Sequence, residues 1–405
     1  MERDDRDTIA LGLVNTVDYE IEWDPAHLEK LICRTNLQEC DIRKMHKICT
    51  LKDLLSSILF HMREGTGCGL WVEDPEVIET FLEGTGYRVT LGGTNLRAAQ
   101  VISTLGGRAL VHLVSVNENT LSRLPDGVKW VGGQKYRCCF PHIAIQFPKA
   151  ARICANGVEM ITPRANRVIY SGDIACAQMP LEQEFFTRAA GMRAMLVSGL
   201  DLVTDPAVLS MRLKQIQKGL KGFGGEKPLV FYEHACFADT AYEEMLQREL
   251  EPLLDIYSMN EDEFQTLAGG SVELLHADTV FKGLQAARKK LPDVTLVVHT
   301  GYWGLAYGMR AQEIRGALEK GMLAATARYW LGNSDNAGMD RAAMLPQQVL
   351  SKAFAEEIER ISEEQVVCLP AAEVKPDDPT TVGLGDSFVG GFLYQYCFDR
   401  RKREA

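Results

Sequence analysis

Short apolar runs alternate with amphipathic stretches along most of the 405-residue chain. Runs at Thr8–Val14, Ala109–Val116, Ala194–Ser198, Pro228–Tyr232, Leu253–Tyr257, Thr295–His299 and Val366–Leu369 are nearly continuously apolar, the pattern of strands covered on both faces. Helical spacing predicts helices at Asn95–Leu105, Pro206–Gly219, Thr240–Leu250, Glu261–Leu267, Thr279–Lys290, Pro346–Ile361 and from Asp386 to about Arg401. This alternation predicts an α/β fold with a doubly wound, mainly parallel sheet flanked by helices. Ligands bind such sheets at the carboxyl ends of the strands.

Two segments break the rhythm. One runs from about Tyr19 to Tyr87, with helical and loop character. The other, from about Lys129 to Asp173, holds the short alternating runs KYRCCF, HIAIQF, ARICA, VEMIT and RVIYSG, which predict hairpins. Together they predict a smaller lid domain of residues 19–87 and 129–173. The large domain takes residues 1–18, 88–128 and 174–405. The stretch Gly332–Asp340 reads as a loop from its Gly, Asn and Asp content.

Charge narrows the function classes. There are 44 Lys and Arg against 55 Asp and Glu, a net charge of −11. That excludes a chain-wide grip on nucleic acid or an anionic membrane, but not the local binding of an anionic small molecule. No apolar run approaches the ~20 residues of a spanning helix. The opening MERDDRDTIALGLV lacks a signal-peptide core and a transit-peptide composition. The 11 cysteines form no CxxC pair, so a reduced, cytoplasmic chain is expected.

The sharpest candidate chemistry is TTVGLGDSF at Thr380–Phe388, followed by an apolar helix. Gly383 and Gly385 allow a tight turn that aims successive amides at one point, and the helix N-terminus adds partial positive charge. Asp386 stands where it can accept a proton from an attacking hydroxyl during phosphoryl transfer. An Asp that simply caps a helix is the alternative. The Walker A pattern is absent.

TVGLGDS near the end of a doubly wound chain resembles the ribokinase-like superfamily, and its Val and Leu resemble the ADP-dependent glucokinase and phosphofructokinase family. The resemblance spans about residues 10 to 392. It implies a kinase that uses Mg2+ and ADP, with Thr381, Val382 and Leu384 beside the nucleotide. Ser258–Glu263, SMNEDE, matches the superfamily NxxE motif through Asn260 and Glu263, a magnesium-linked pair; a helix capping box is the alternative. Phe231–Asp239, FYEHACFAD, resembles the HxE segment: Glu233 falls on its metal-linked glutamate, while Phe231 replaces its histidine.

The resemblance assigns Asn15 and Asp18 of LGLVNTVD to sugar hydroxyls, with an Asx turn as the alternative. It assigns Gly92, Gly93 and Asn95 of LGGTNLRAAQ to the sugar-binding turn. The lid segments HIAIQFPKAAR and PRANRVIYSGD resemble EFPKG and NRFI segments, and their Lys149, Arg152, Arg164 and Arg167 form a basic group suited to a sugar phosphate. VVHTGYWGLAYG resembles the segment beside the nucleotide, with His299 and Thr300 at the strand end and Trp303 departing from the pattern.

Family glucokinases carry a lid glutamate after a Gly-rich turn. Here EGTGCGLWVED puts Gly69 near that place and Glu73 four residues on. With the basic group, this favours fructose 6-phosphate over glucose as acceptor. An ATP-dependent carbohydrate kinase and a non-catalytic sugar- or nucleotide-binding protein remain as alternatives. Oligomeric state is not readable.

Overall fold

The computed structural model describes residues 6–136, 140–225, 227–237, 239–375, 380 and 382–404. Its strands, among those residues, are β1 (Thr8–Leu11), β2 (Thr16–Ile21), β3 (Cys68–Trp71), β4 (Tyr87–Gly92), β5 (Arg108–Leu113), β6 (Val128–Gly132), β7 (His142–Phe147), β8 (Arg152–Ala155), β9 (Val158–Ile161), β10 (Asn166–Ser171), β11 (Ala194–Val197), β12 (Leu229–Glu233), β13 (Ile256–Asn260), β14 (Thr295–His299), β15 (Trp303–Tyr307) and β16 (Val366–Pro370). Five helices matter below: α1 (Thr94–Thr104), α2 (Glu261–Ala268), α3 (Arg315–Leu331), α4 (Asn336–Ala343) and α5 (Leu384–Glu404).

A nine-stranded sheet runs β16-β15-β14-β13-β12-β11-β1-β5-β6. From β14 through β6 neighbouring strands are parallel, and β15 pairs antiparallel to both β14 and β16. Every residue of β1 and β11 is buried, as their unbroken apolar sequences require. Apolar cores fill both faces of the sheet. The α/β, doubly wound expectation holds.

A second sheet, β3-β10-β7-β2-β4, covers its own apolar core, and β8 and β9 form a separate hairpin. Sheet membership shifts the expected boundaries. β2 joins the second sheet from Thr16, β4 keeps its residues there through Gly92, and β6 returns Val128–Gly132 to the large sheet. The reason is local: β1 ends at Leu11, and Asn15 is clamped by β5, so the chain turns into the second sheet before Asp18.

Three helical expectations change. α3 was not legible, because its apolar residues do not form one stripe. It packs closely against α5, and Gly321 permits this, since a Cβ there would stand 2.9 Å from the Phe388 ring. The expected loop Gly332–Asp340 contains the start of α4, whose N-cap is Asp335, accepting from Gly338 N at 2.6 Å. The helix expected from Pro346 starts at Val349, because Pro346 O and Gln348 N bond to residues 371–373 instead. Likewise the strand expected from Leu253 starts at Ile256, after a 3-10 turn at Glu251–Leu253. No helix among the described residues is long and apolar enough to cross a membrane.

Candidate active site

The glycine turn lies at the carboxyl edge of the large sheet. Gly383 takes a left-handed φ of +77°, and α5 starts right after it at Leu384, two residues earlier than expected. Asp386 is therefore in the first helical turn, where the main-chain N–H groups have no intrahelical acceptors. Ser387 N closes the first turn on Gly383 O at 3.0 Å. Val382 is buried; its N bonds Thr380 Oγ1 at 3.3 Å, and its O accepts from Arg328 Nε at 3.3 Å. Thr381 lies outside the described residues.

Glu233, at the end of β12, meets this turn. Its Oε1 lies 3.0 Å from His299 Nε2, and its Oε2 is buried with no hydrogen-bond partner among the described residues. A Cβ on Gly385 would sit 3.5 Å from His299 and 3.6 Å from Glu233, so the turn lies within side-chain contact distance of the pair. Burial pushes the His299 pKa down, but the charge and hydrogen bond of Glu233 outweigh it, and the net shift is upward. The His299 ring also packs on Phe388, with centroids 4.7 Å apart. His299 thus faces the carboxylate and the start of α5 from the end of β14.

Asn260 and Glu263 form the capping box of α2. Asn260 Oδ1 accepts from Asp262 N and Glu263 N, and Glu263 Oε2 accepts from Asn260 N at 2.8 Å. Burial holds the Glu263 carboxyl well above the usual range, opposed by the Asn260 N–H and reinforced by Glu233. Burial also pushes Asp201 up to about 6. Carboxylates crowded together, with an unpartnered Glu233 oxygen among them, are hard oxygen donors of the kind Mg2+ takes near phosphates. Phe231 takes no part: it is buried against Phe392, with centroids 5.1 Å apart.

Across the turn, Arg97 of α1 gathers the acids. Its Nη2 donates to Asp18 Oδ2 at 2.9 Å and to Glu20 Oε1 at 3.2 Å, and its Nε lies 3.7 Å from Asp386 Oδ2. Burial acts to lower the Arg97 pKa, yet Asp18, Asp386 and Glu20 together raise it. Glu20 is held below the usual carboxylate range: burial raises it, and Arg88, Arg97 and Thr90 more than offset that. The sequence singled out neither Arg97 nor Glu20. Arg97 sits inside LGGTNLRAAQ, two residues past Asn95, and a lone charge early in an apolar helix was the available signal.

Gly92 leaves room for Asp18, because a Cβ there would collide with Asp18 Oδ1 and Thr16 Oγ1. Gly93, at φ +80°, passes over Val14 O and the Asn15 backbone. Asn15 and Asn95 do not face the cleft. Asn15 is fully buried, with Nδ2 donating to Ser115 O and Oδ1 accepting from Val114 N. Asn95 is fully buried, with Nδ2 donating to His112 O and Oδ1 accepting from Leu96 N. Both amides brace the ends of β1 and β5, which corrects their expected contact with sugar: the main-chain groups left where parallel strands end must be satisfied first.

The basic group does not converge either. Arg164 is exposed and turns its Nε to Gly65 O at 2.6 Å, and Lys149 and Arg152 are exposed. Arg167 alone reaches inward. It is half-buried, and its guanidinium has no hydrogen bond or ion pair among the described residues. Burial lowers its pKa, opposed by Asp386, Glu263 and Glu261. Thr300 caps the β14–β15 hairpin, its Oγ1 accepting from Tyr302 N and Trp303 N at 3.0 Å. Trp303 is core: fully buried, stacked on Phe354 and donating Nε1 to Leu274 O at 2.6 Å.

A mainly parallel sheet that ends in a glycine-turn helix, with Asp386 at the turn and a second sheet bearing Asp18, is a ribokinase-like fold. A family model described as the ADP-specific phosphofructokinase/glucokinase conserved region matches residues 7–394, and the chain belongs to that family. It is accordingly a sugar kinase of the ADP-dependent class. It is similar to an ADP-dependent glucose/glucosamine kinase of Pyrococcus abyssi (strain GE5 / Orsay), 24% identical over 84% of this chain and 83% of that protein. A hypothetical ADP-dependent phosphofructokinase from Pyrococcus horikoshii OT3 shares the fold at TM-score 0.77 and 16% identity, covering 98% of this chain and 99% of that one. An ADP-dependent kinase solved in complex with fructose 6-phosphate and ADPβS does so at TM-score 0.74 and 12% identity, covering 98% and 95%.

Proposed function

We propose that the chain transfers the β-phosphoryl group of Mg2+–ADP to a hydroxyl of a sugar or sugar phosphate, with fructose 6-phosphate favoured over glucose, and releases AMP. The observation that carries this is the meeting of Asp386, the free amides of the Gly383 turn and the Glu233–His299 pair at one sheet edge.

In this reading the acceptor hydroxyl lies against Asp18 and Asp386. Asp386 takes its proton as the oxygen attacks phosphorus, and the bond to the AMP oxygen breaks. The first-turn amides of α5 hold the charge that develops on the transferred group. Glu233 and Glu263 would hold Mg2+ through its waters, and the ion supplies charge neutralisation along the donor phosphates. Arg167, the unpartnered cation that senses Asp386 and Glu263, binds phosphate from the side of the second sheet. That sheet with its helices serves as a lid that excludes water while the transfer proceeds.

The acceptor preference rests on Arg167 and on Gly69. Gly69 stands on edge strand β3 with nothing within 4 Å of a built Cβ, so it brings no carboxylate. Glu73, the next candidate, pairs with Lys47 at 3.0 Å. The preference belongs to the same proposal as a cytoplasmic setting. A donor-by-acceptor screen tests the whole reading: ADP and ATP against glucose, fructose 6-phosphate, ribose and nucleosides. Turnover is expected with ADP and fructose 6-phosphate, with AMP formed one for one. Turnover with ATP and none with ADP would sink the donor assignment. Glucose turned over faster than fructose 6-phosphate would reverse the acceptor assignment.

A further inference from the structure

Arg97 carries more than an ion pair. Arg97 is 7% exposed, and its guanidinium is the meeting point of three carboxylates from two elements: Asp18 and Glu20 of β2 and Asp386 of α5. The three nitrogens are used differently. Nη2 is saturated by Asp18, Glu20 and Thr90, the last at 3.4 Å. Nε faces Asp386. Nη1 has no hydrogen-bond partner among the described residues. It points at the glycine turn: a Cβ built on Gly383 would stand 2.8 Å from it.

A planar guanidinium can do this where an ammonium cannot, because three corners act at fixed angles. Glu20 fixes the plane from behind, since it is itself 4% exposed and clamped by Arg88 and Thr90. The free corner is therefore preorganised before any ligand arrives, which is the condition for strong electrostatic stabilisation of a transition state.

On the kinase reading above, the phosphoryl group passes between the amides of the Gly383 turn and the acceptor hydroxyl. We propose that Arg97 is a catalytic residue of this transfer, donating through Nη1 to a non-bridging oxygen of the phosphoryl group while Nη2 stays locked on Asp18 and Glu20. Arg97 then ties three things into one geometry: the acceptor-side carboxylate Asp18, the base Asp386 and the group being transferred. The proton still goes to Asp386, and Arg97 stays protonated throughout.

The test compares wild type with Arg97→Lys and with the charge-balanced double variant Glu20→Gln/Arg97→Met. The double variant replaces a buried ion pair by a neutral pair, a change that proteins tolerate better than loss of one partner. For each, folding is read by circular dichroism and ADP affinity by calorimetry. Steady-state turnover is measured with ADP and with ADPβS. We expect both variants to bind ADP within about threefold of wild type and to lose about 10²-fold to 10³-fold in kcat. The ADP-to-ADPβS rate ratio is expected to shift by about tenfold, because the contact to the substituted oxygen is gone. Wild-type kcat in a folded variant overturns the proposal. So does a loss confined to sugar KM with an unchanged ratio, since Arg97 would then only pin Asp18. A wild-type protein inactive with every nucleotide would instead overturn the kinase reading, and this inference with it.

Discussion

His299 Nε2 lies 3.0 Å from Glu233 Oε1, and the other oxygen of that carboxylate is buried without a partner among the described residues. The pair stands beside Gly385 in the first turn of α5, within side-chain contact distance of it. One oxygen of Glu233 is thus oriented by His299, and the other is the one to which the proposed function gives a contact with magnesium-bound water.

On the proposed function, Glu233→Gln should weaken magnesium binding and leave the fold intact. We expect the Mg2+ concentration for half-maximal turnover to rise about 10-fold to 100-fold. Nucleotide binding in the presence of a chelator should change little. Titrating Mg2+ at fixed ADP checks this, and an unchanged midpoint would remove Glu233 from the metal site.

Asp386→Asn keeps the shape of the first turn of α5 and removes the proton acceptor. A fall of about 10²-fold to 10⁴-fold in kcat is expected, with sugar and ADP affinities within a few-fold of wild type. Equal turnover by the variant would mean that the base is another group.

Gly92→Ala should act on the sugar alone. The new Cβ collides with Asp18 Oδ1 and Thr16 Oγ1, so Asp18 must move. We expect sugar KM to rise at least about tenfold, as misplacement of a binding group does elsewhere, with ADP affinity unaffected. Parallel calorimetric titrations with each ligand separate the two effects.

Acid should destabilise the protein through buried histidines. His112 is pushed down to about 4, chiefly by burial, against a hydrogen bond to Leu13 O that acts upward. In the unfolded chain its pKa is about 6.5. The unfolded state therefore binds the extra proton first, and stability falls as pH drops from about 6.5 to about 4, by on the order of 3 kcal/mol. Asp201 and Glu263, both raised, act with the opposite sign in that range. The measurement is accordingly a difference. Thermal midpoints of wild type and His112→Gln between pH 7 and pH 5 should converge toward acid pH, and parallel curves would refute the assignment.

Much of this architecture was legible in one dimension. Strands buried on both faces announce themselves as unbroken apolar runs, and Thr295–His299 was bounded to the residue. The glycine turn was legible because few residue types tolerate φ near +77° at the start of an apolar helix. α3 was not, because a helix packed on more than one side carries no single stripe. The asparagines misled for a related reason. Asn15 and Asn95 have the chemistry to bind a sugar, but the same donors and acceptors satisfy the backbone at two strand ends, and residue type cannot tell which partner is nearer.

What the sequence by itself determined was therefore the doubly wound, mainly parallel class of the large sheet, the turn that carries Asp386, and the kind of chemistry its residues allow. These depend on period, on backbone conformation and on side-chain type, all of which are local. Only the tertiary structure decided which charges meet. Arg97, Asp18 and Asp386 are far apart along the chain and come within 4 Å of one another's partners through α1, β2 and α5. Electrostatic energy depends on distance in space and on burial, and neither is a property of position in the sequence.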